Sequence, residues 1–311
     1  MTPDIYQVIA DRFIVQLEQG TVPWQRPWIN AQNLVSQKPY HGANVLTLAC
    51  EQRESPWWLT YRQASELGGN VRKGEKSTPI IYWQMLEKTD DTGVALVNGN
   101  GRPDVIPFVR WSNVFNIEQT QNIKEPELSK DSIEQTALEK AQSILDNANC
   151  CEIRHNSQSD RAVYIPLQDA IEIPSIKRFP NKSDFFHTVF HELIHSSGKS
   201  TRLNREGITE KIDQGSEKYA KEELIAELGA SFLSNEAGTL GDVQFKNSAS
   251  YLKSWIQKLK DDPKMIIAAC SAAQKACKYV LGERENVSAT IKEMIAGFSP
   301  KNEVELQNER A

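Results

Sequence analysis

The chain opens with apolar residues at helical spacing. Ile5, Val8, Ile9, Phe13 and Leu17 fall on one face of a segment that Thr2 and Pro3 can start and Gly20 can end. "VPWQRPW" (22–28) breaks this period with two prolines. The pattern then changes to β-branched and aromatic runs: "STPIIYWQM" (77–85), "GVALV" (93–97) and "DVIPFVRWSNVFNI" (104–117). Gly, Asn and Asp separate them, which predicts strands and hairpins. The polar stretch "EQTQNIKEPELSKDS" (118–132) has little to bury and predicts a linker, placed at 126–134. Helical period resumes in "IEQTALEKAQSILDNA", and "AVYIPLQDAIEIPS" (162–175) predicts two short strands that proline confines to edges or ends. Further helices are expected over 185–197 and 217–233, and in "NSASYLKSWIQKLKDD", "KMIIAACSAAQKACKYVLG" and "VSATIKEMIAGF", before a frayed tail. The expectation is an α+β chain of two domains, 1–125 and 135–311, the second mainly helical with a small sheet.

Composition narrows the partners more than the fold. The 311 residues are 39% hydrophobic and 25% charged, in keeping with a folded chain. No apolar run approaches the roughly 20 residues that span a bilayer, and the start has Asp4 in place of a basic leader, so a cytoplasmic protein with no membrane partner is expected. The five cysteines have no CxxC spacing, which argues against a thiolate metal site or a disulfide framework. Residues 1–125 carry 12 basic and 13 acidic side chains, and the remainder 24 and 28. With that balance, nucleic-acid binding would need a local patch or stacking.

Three of the five histidines occur in "FFHTVFHELIHSSG" (185–198). Phe186, Val189, Phe190, Leu193 and Ile194 form an apolar stripe on this helix, with Asn181 or Ser183 as cap and Gly198 as terminator. His187, His191 and His195 stand one above another on a different face. An i, i+4 pair of imidazoles can converge on one cation, with Zn–N bonds of about 2.0–2.1 Å. Glu192 follows His191 directly, as in the zinc-protease motif H-E-x-x-H, where this glutamate is the general base.

The third ligand is expected from "EKYAKEELIAELGASFL" (217–233), where Glu223 and Glu227 share a face. Glu223 is assigned as ligand and Glu227 as the outer carboxylate that orients a ligand imidazole. Glu222 is the rival ligand, about 100° away around the helix. His187 is expected behind the ligands or at the substrate. Tyr164, Tyr219 and His187 stay open as oxyanion donors. Zn2+ is the expected metal, with Mn2+ or Co2+ compatible with the same donors.

Six of the seven tryptophans precede the linker. Trp24 and Trp28 sit in the proline-rich segment. Trp57, Trp58 and Tyr61 lie near Arg53 and Arg62, and Arg72, Lys73 and Lys76 mark a basic, glycine-bearing loop. These are candidate stacking platforms and phosphate contacts for a single strand. The competing reading of each tryptophan is core packing.

"HTVFHELIHSSGKSTRLNR", "YAKEELIAELGASFL" and "NSASYLKSWIQKLKDD" with "AACSAAQKACKYVL" resemble the ArdC family of plasmid antirestriction proteins. So do "YQVIADRFIVQLEQGTVPWQRPW", "GANVL", "GGNVRKGEKSTPIIYW" and "VFNIEQ". The resemblance runs in order along nearly the whole chain. It implies an N-terminal domain that binds single-stranded DNA, and it adds Asn44 and Trp83 to the DNA-binding candidates. It also implies a C-terminal zincin-like metallopeptidase domain carrying His191, Glu192 and His195. The function implied is protection of incoming plasmid DNA from host restriction during conjugation, with host restriction or DNA-bound proteins as substrates. Two alternatives remain: a non-proteolytic single-strand binder with a structural metal, or a Spartan-like protease acting on DNA-bound proteins.

Overall fold

The computed structural model describes residues 4–25, 31–90, 92, 94–97, 99, 103–126, 133–148, 150–156, 161–209, 216–243 and 249–283. Trp28, most of the expected linker, the "VSATIKEMIAGF" helix and the tail lie outside the described residues, as does the Trp83 side chain. The α+β architecture is as expected. Two compact units emerge, one joining 1–81 with 111–282 and one containing 82–110. They do not follow the division at the linker, because helices from both sequence halves pack within the first unit.

In the first half, α1 (Ile5–Glu18) buries Ile9, Phe13 and Leu17, the face its period indicates, and Asp4 caps it in place of Thr2. A 3-10 turn (Pro23–Gln25) follows, then β1 (Gln32–Asn33) and α2 (Ala43–Ala49). β2 (Trp57–Leu59), α3 (Tyr61–Glu66) and β3 (Asn70–Val71) lead to two long strands, β4 (Thr78–Glu87) and β5 (Val105–Asn116), and to the short β6 (Thr120–Gln121). The main sheet has the order β1-β2-β5-β4. β2 is the strand on which it turns. Successive side chains of a strand point to opposite faces. Trp57 packs with Leu34, Leu59, Ala64 and Ile117, while Trp58 packs with Ala31, Leu48 and Val114. The adjacent tryptophans therefore fill two different cores. Among the described residues, "GVALV" forms only isolated bridges, Thr89 with Ala95 and Val97 with Pro103.

The second half begins with α4 (Ile133–Asn147). A three-stranded sheet follows, made of β7 (Glu152–His155), β8 (Val163–Ile165) and β9 (Ala170–Ile173) in the order β7-β9-β8. β7 runs parallel to β9 and β8 antiparallel to it, with Tyr164 opposite Ile171. Then come α5 (Lys182–Ser197), the single turn α6 (Glu206–Thr209), α7 (Glu217–Ala237), α8 (Ala249–Asp261) and α9 (Met265–Val280). α5 packs on β8, on β9 and along α7, and α7 packs in turn against α9. The halves meet where α1 lies on α8, α2 on α9, and the Pro23–Gln25 turn on α7.

Candidate metal centre

Two helices build the site. Asn181 caps α5 by accepting the Asp184 N–H at 2.8 Å, and the apolar stripe Phe186, Val189, Phe190, Leu193 and Ile194 is buried. Ser216 caps α7 by accepting the Tyr219 N–H at 3.2 Å. Packing the two stripes together turns the histidine face of α5 toward the glutamate face of α7.

The donors converge there. His191 Nε2 and His195 Nε2 are 3.1 Å apart. Glu223 closes the triangle, with Oε2 3.6 Å from His191 Nε2 and Oε1 3.5 Å from His195 Nε2. Among the described residues these three form a group able to hold a metal, with all ligand atoms within 4.8 Å of one another. A tetrahedral ion with bonds of about 2.0–2.1 Å sets its ligand atoms roughly 3.3–3.4 Å apart, so the observed triangle fits a divalent cation. Electrostatics agree. Burial opposes charge on His195, but hydrogen bonds to Glu222 and Glu223 outweigh it and raise its pKa to about 10. Burial also opposes charge on Glu223, yet contacts with His191 and His195 hold its carboxyl well below the usual carboxylate range. Positive charge is thus strongly favoured at the point where the three donors meet.

The surrounding shell corrects one expectation. The carboxylate at a ligand imidazole's far nitrogen belongs to Glu222, not Glu227. Glu222 is 3% exposed, and its Oε1 lies 3.2 Å from His195 Nδ1. Arg205 grips the same carboxylate, donating from Nη2 to Oε1 at 2.7 Å and from Nε to Oε2 at 3.0 Å. The reason is rotational: one step around α7 moves Glu222 from the metal face to the flank of His195. Glu227 instead faces His187, 3.9 Å from its Nε2, a separation too long for a hydrogen bond. His187 Nδ1 meets Ser234 Oγ at 3.0 Å.

Glu192 is held apart from the three donors. Its Oε2 accepts the backbone N–H of Tyr164 at 2.6 Å, and the residue is 8% exposed. Tyr164 donates its hydroxyl to Asp169 at 2.9 Å. Burial and then this bond raise the Tyr164 pKa to about 12. Arg202 in turn forks onto Asp169 at 2.7 and 2.8 Å, with Lys199 Nζ at 2.8 Å. Of the open oxyanion candidates, Tyr164 and His187 are thereby engaged elsewhere, and Tyr219 is half-exposed one turn before Glu223.

The DNA-binding candidates divide by burial. Trp24, Trp57 and Trp58 are 1%, 6% and 2% exposed, so their ring faces are taken up by the core and offer a base no platform. Asn44 ties α2 to β4, donating to the Ile81 carbonyl at 2.7 Å and accepting the Ile81 N–H at 2.8 Å. Arg72 donates to the carbonyls of Thr120 and Glu118 and to Glu75. Lys73, Lys76 and Tyr61 are exposed. No sequence pattern marks Phe108, exposed with the Arg110 guanidinium 6.0 Å from its ring centre, or the exposed Trp111 as a contact. None marks Arg202, Arg205 or the Tyr164 N–H either. The two arginines come from an irregular loop without periodic signal, and a backbone N–H has no residue type to read.

Comparison with known proteins assigns both halves. Residues 3–115 match the family described as the N-terminal domain of anti-restriction factor ArdC, and residues 139–272 match a zincin-like metallopeptidase family. The crystal structure of the antirestriction ArdC protein from the R388 plasmid, in its metal-free form, superposes with a TM-score of 0.69. At 31% identity it is matched over 96% of this chain and 100% of its own. The chain belongs to the ArdC family. The Mn(II)-bound structure of the same R388 protein gives a TM-score of 0.70, covering 91% of this chain and 99% of that one. DNA primase TraC of Escherichia coli is 38% identical over 293 residues, 89% of this chain. This chain spans 27% of the length of that primase. ArdC-family membership thus brings together an antirestriction N-terminal domain and a zincin-like domain, whose kind takes a divalent metal. Among the described residues, no helix is long and apolar enough to cross a membrane.

Proposed function

We propose that the chain binds single-stranded DNA through its N-terminal half and hydrolyses peptide bonds at a zinc centre in its C-terminal half. It would shield incoming plasmid DNA from host restriction during conjugation, with restriction or other DNA-bound proteins as substrates. The observation that carries the peptidase reading is the division of labour on α5. His191 and His195 join Glu223 in one triangle, while Glu192, beside them in sequence, is held separately by the Tyr164 N–H.

A divalent ion in such a triangle supplies Lewis-acid polarisation and a more acidic water. His191, His195 and Glu223 would hold it. Glu192 would be the general base: its Oε2 is anchored on β8, which leaves Oε1 to take a proton. Being nearly buried, Glu192 would hand that proton on within a site sheltered from bulk solvent. Mn2+ is an alternative occupant, supported by the Mn(II)-bound R388 relative. For the N-terminal half, the exposed Tyr61 and Trp111, together with Lys73 and Lys76, are the contacts proposed in place of the buried tryptophans.

Glu192→Gln tests the reading. It should leave folding and metal content intact while abolishing both peptide cleavage and antirestriction. Antirestriction at full strength in this variant would mean that proteolysis is not its mechanism. Elemental analysis of purified protein beside His191→Ala identifies the metal.

A further inference from the structure

Arg205 links the last turn of α5 to the carboxylate at His195 Nδ1. Its Nη2 donates to the Ile194 carbonyl at 2.6 Å and its Nη1 to Ser197 Oγ at 2.9 Å, both in the last turn of α5. The same guanidinium forks onto Glu222 of α7. Glu222 has two oxygens to offer: Oε1 is shared between Arg205 and His195 Nδ1, and Oε2 is occupied by Arg205. The α6 backbone lies directly on this carboxylate. A Cβ on Gly207 would stand 2.5 Å from Glu222 Cβ and 2.9 Å from its Oε2, so the absence of a side chain there lets α6 seal the pair from water.

We propose that Arg205 and Glu222 form a positioning pair that sets the tautomer and ring orientation of His195. A carboxylate that accepts from Arg205 through both oxygens has only acceptor capacity left for the imidazole. Nδ1 must therefore carry hydrogen, which leaves Nε2, the nitrogen facing His191 and Glu223, as the one that would give up its proton to a cation. The inference rests on the reading of His191, His195 and Glu223 as a divalent-cation site. It assigns Glu222, one residue from a ligand, a role opposite to ligation: acting on the metal only through His195.

The test uses the full chain and Mn2+ alone, with free ion followed by electron paramagnetic resonance. Glu222→Gln keeps the volume but breaks the fork: its oxygen at the Oε1 position can still accept, while the amide nitrogen at the Oε2 position only donates and is set against Arg205 Nε–H, which loosens the hold on Nδ1. Mn2+ affinity should fall by about 10–100-fold, and by less in Arg205→Lys, which keeps the charge and loses the fork. In the Zn2+-loaded protein, 1H–15N spectra should show the His195 Nδ1–H resonance far downfield and slow to exchange with water in the wild type, and moved upfield and exchanging faster in Glu222→Gln, which a merely structural role would not produce. Wild-type Mn2+ affinity with an unchanged His195 Nδ1 resonance in Glu222→Gln overturns the proposal. If that variant does not fold, the same two unchanged values in Arg205→Lys overturn it. If wild type and His191→Ala take up Mn2+ equally, the metal reading itself fails, and this inference fails with it.

Discussion

Gly229→Ala sets two well-measured effects against each other at the contact that spaces the ligand helices. Gly229 sits inside α7, where alanine is favoured over glycine by about 1 kcal/mol. The added Cβ, however, would stand 2.6 Å from Ile194 Cγ1, 2.7 Å from Cδ1 and 3.1 Å from Cγ2. Comfortable carbon contacts are about 3.5–4.0 Å, so the helices must part by roughly 1 Å. Ile194 is fully buried and has nowhere to turn. On the opposite side α9 holds the same residue, Cys277 Sγ donating to the Gly229 carbonyl at 3.3 Å. Overpacking of this kind costs about 1–3 kcal/mol, and with no free space the upper end applies. The net loss is about 2 kcal/mol, and at roughly 2–4 °C per kcal/mol the Tm should drop by about 4–8 °C. Metal binding should weaken too, because ligand distances tolerate only about 0.2 Å and Ile194 adjoins His195. Urea unfolding and Mn2+ titration of Gly229→Ala, Ile194→Ala and the double variant measure this. The double variant should be more stable than the sum of the singles, its new methyl occupying the space Ile194 leaves. A Gly229→Ala protein about 1 kcal/mol more stable than wild type, with unchanged Mn2+ affinity, would mean that Ile194 yields without cost and does not set the helix spacing.

Three further outcomes are expected. Arg202 holds the Asp169 carboxyl well below its ordinary range, so the stability it adds is present above the unfolded value near pH 4 and lost as pH falls through the folded one; Asp169→Asn should cost about 1.5–3 kcal/mol at pH 7 in urea titrations, and the gap to wild type should close in acid. Trp58→Ala should cost about 3–5 kcal/mol as a core deletion, whereas Tyr61→Ala should change stability by about 0.5 kcal/mol or less. Single-strand affinity read by fluorescence anisotropy should fall in Tyr61→Ala by about 1–3 kcal/mol if Tyr61 stacks on a base, and a Trp58→Ala protein that loses affinity at unchanged stability would return Trp58 to that role. Chelation should lower the Tm, since a metal at a hundred times its Kd adds about 2.7 kcal/mol, and His191→Ala should remove that dependence in differential scanning fluorimetry.

What the chain discloses on its own follows from how each feature is encoded. The convergence of His191, His195 and Glu223 is legible because helical spacing converts directly into shared faces. Glu222 and Glu227 were harder to separate: they differ by how α7 is rotated against α5, and rotation is set by packing, including the Gly229–Ile194 contact. Arg205 and Arg202 reach the site from a loop, where spacing carries no geometry. The tryptophans show the opposite case. A strand period of two placed Trp57 and Trp58 on opposite faces, but it does not say that both faces are covered. The helix and loop packing that covers them comes from distant parts of the chain.

The Pro23–Gln25 turn closes against α7, the helix that carries Glu222 and Glu223, while α1 closes against α8 and α2 against α9. A cut in the linker would therefore leave the two pieces clasped, eluting together as one particle. The fragment 1–125 made alone would carry bare apolar helix faces in search of a partner. Selection acts on such halves as a pair, since a change on either side of the shared face must be answered on the other. The inherited module is the joined block, which accords with the similarity to 89% of this chain found inside a far longer primase.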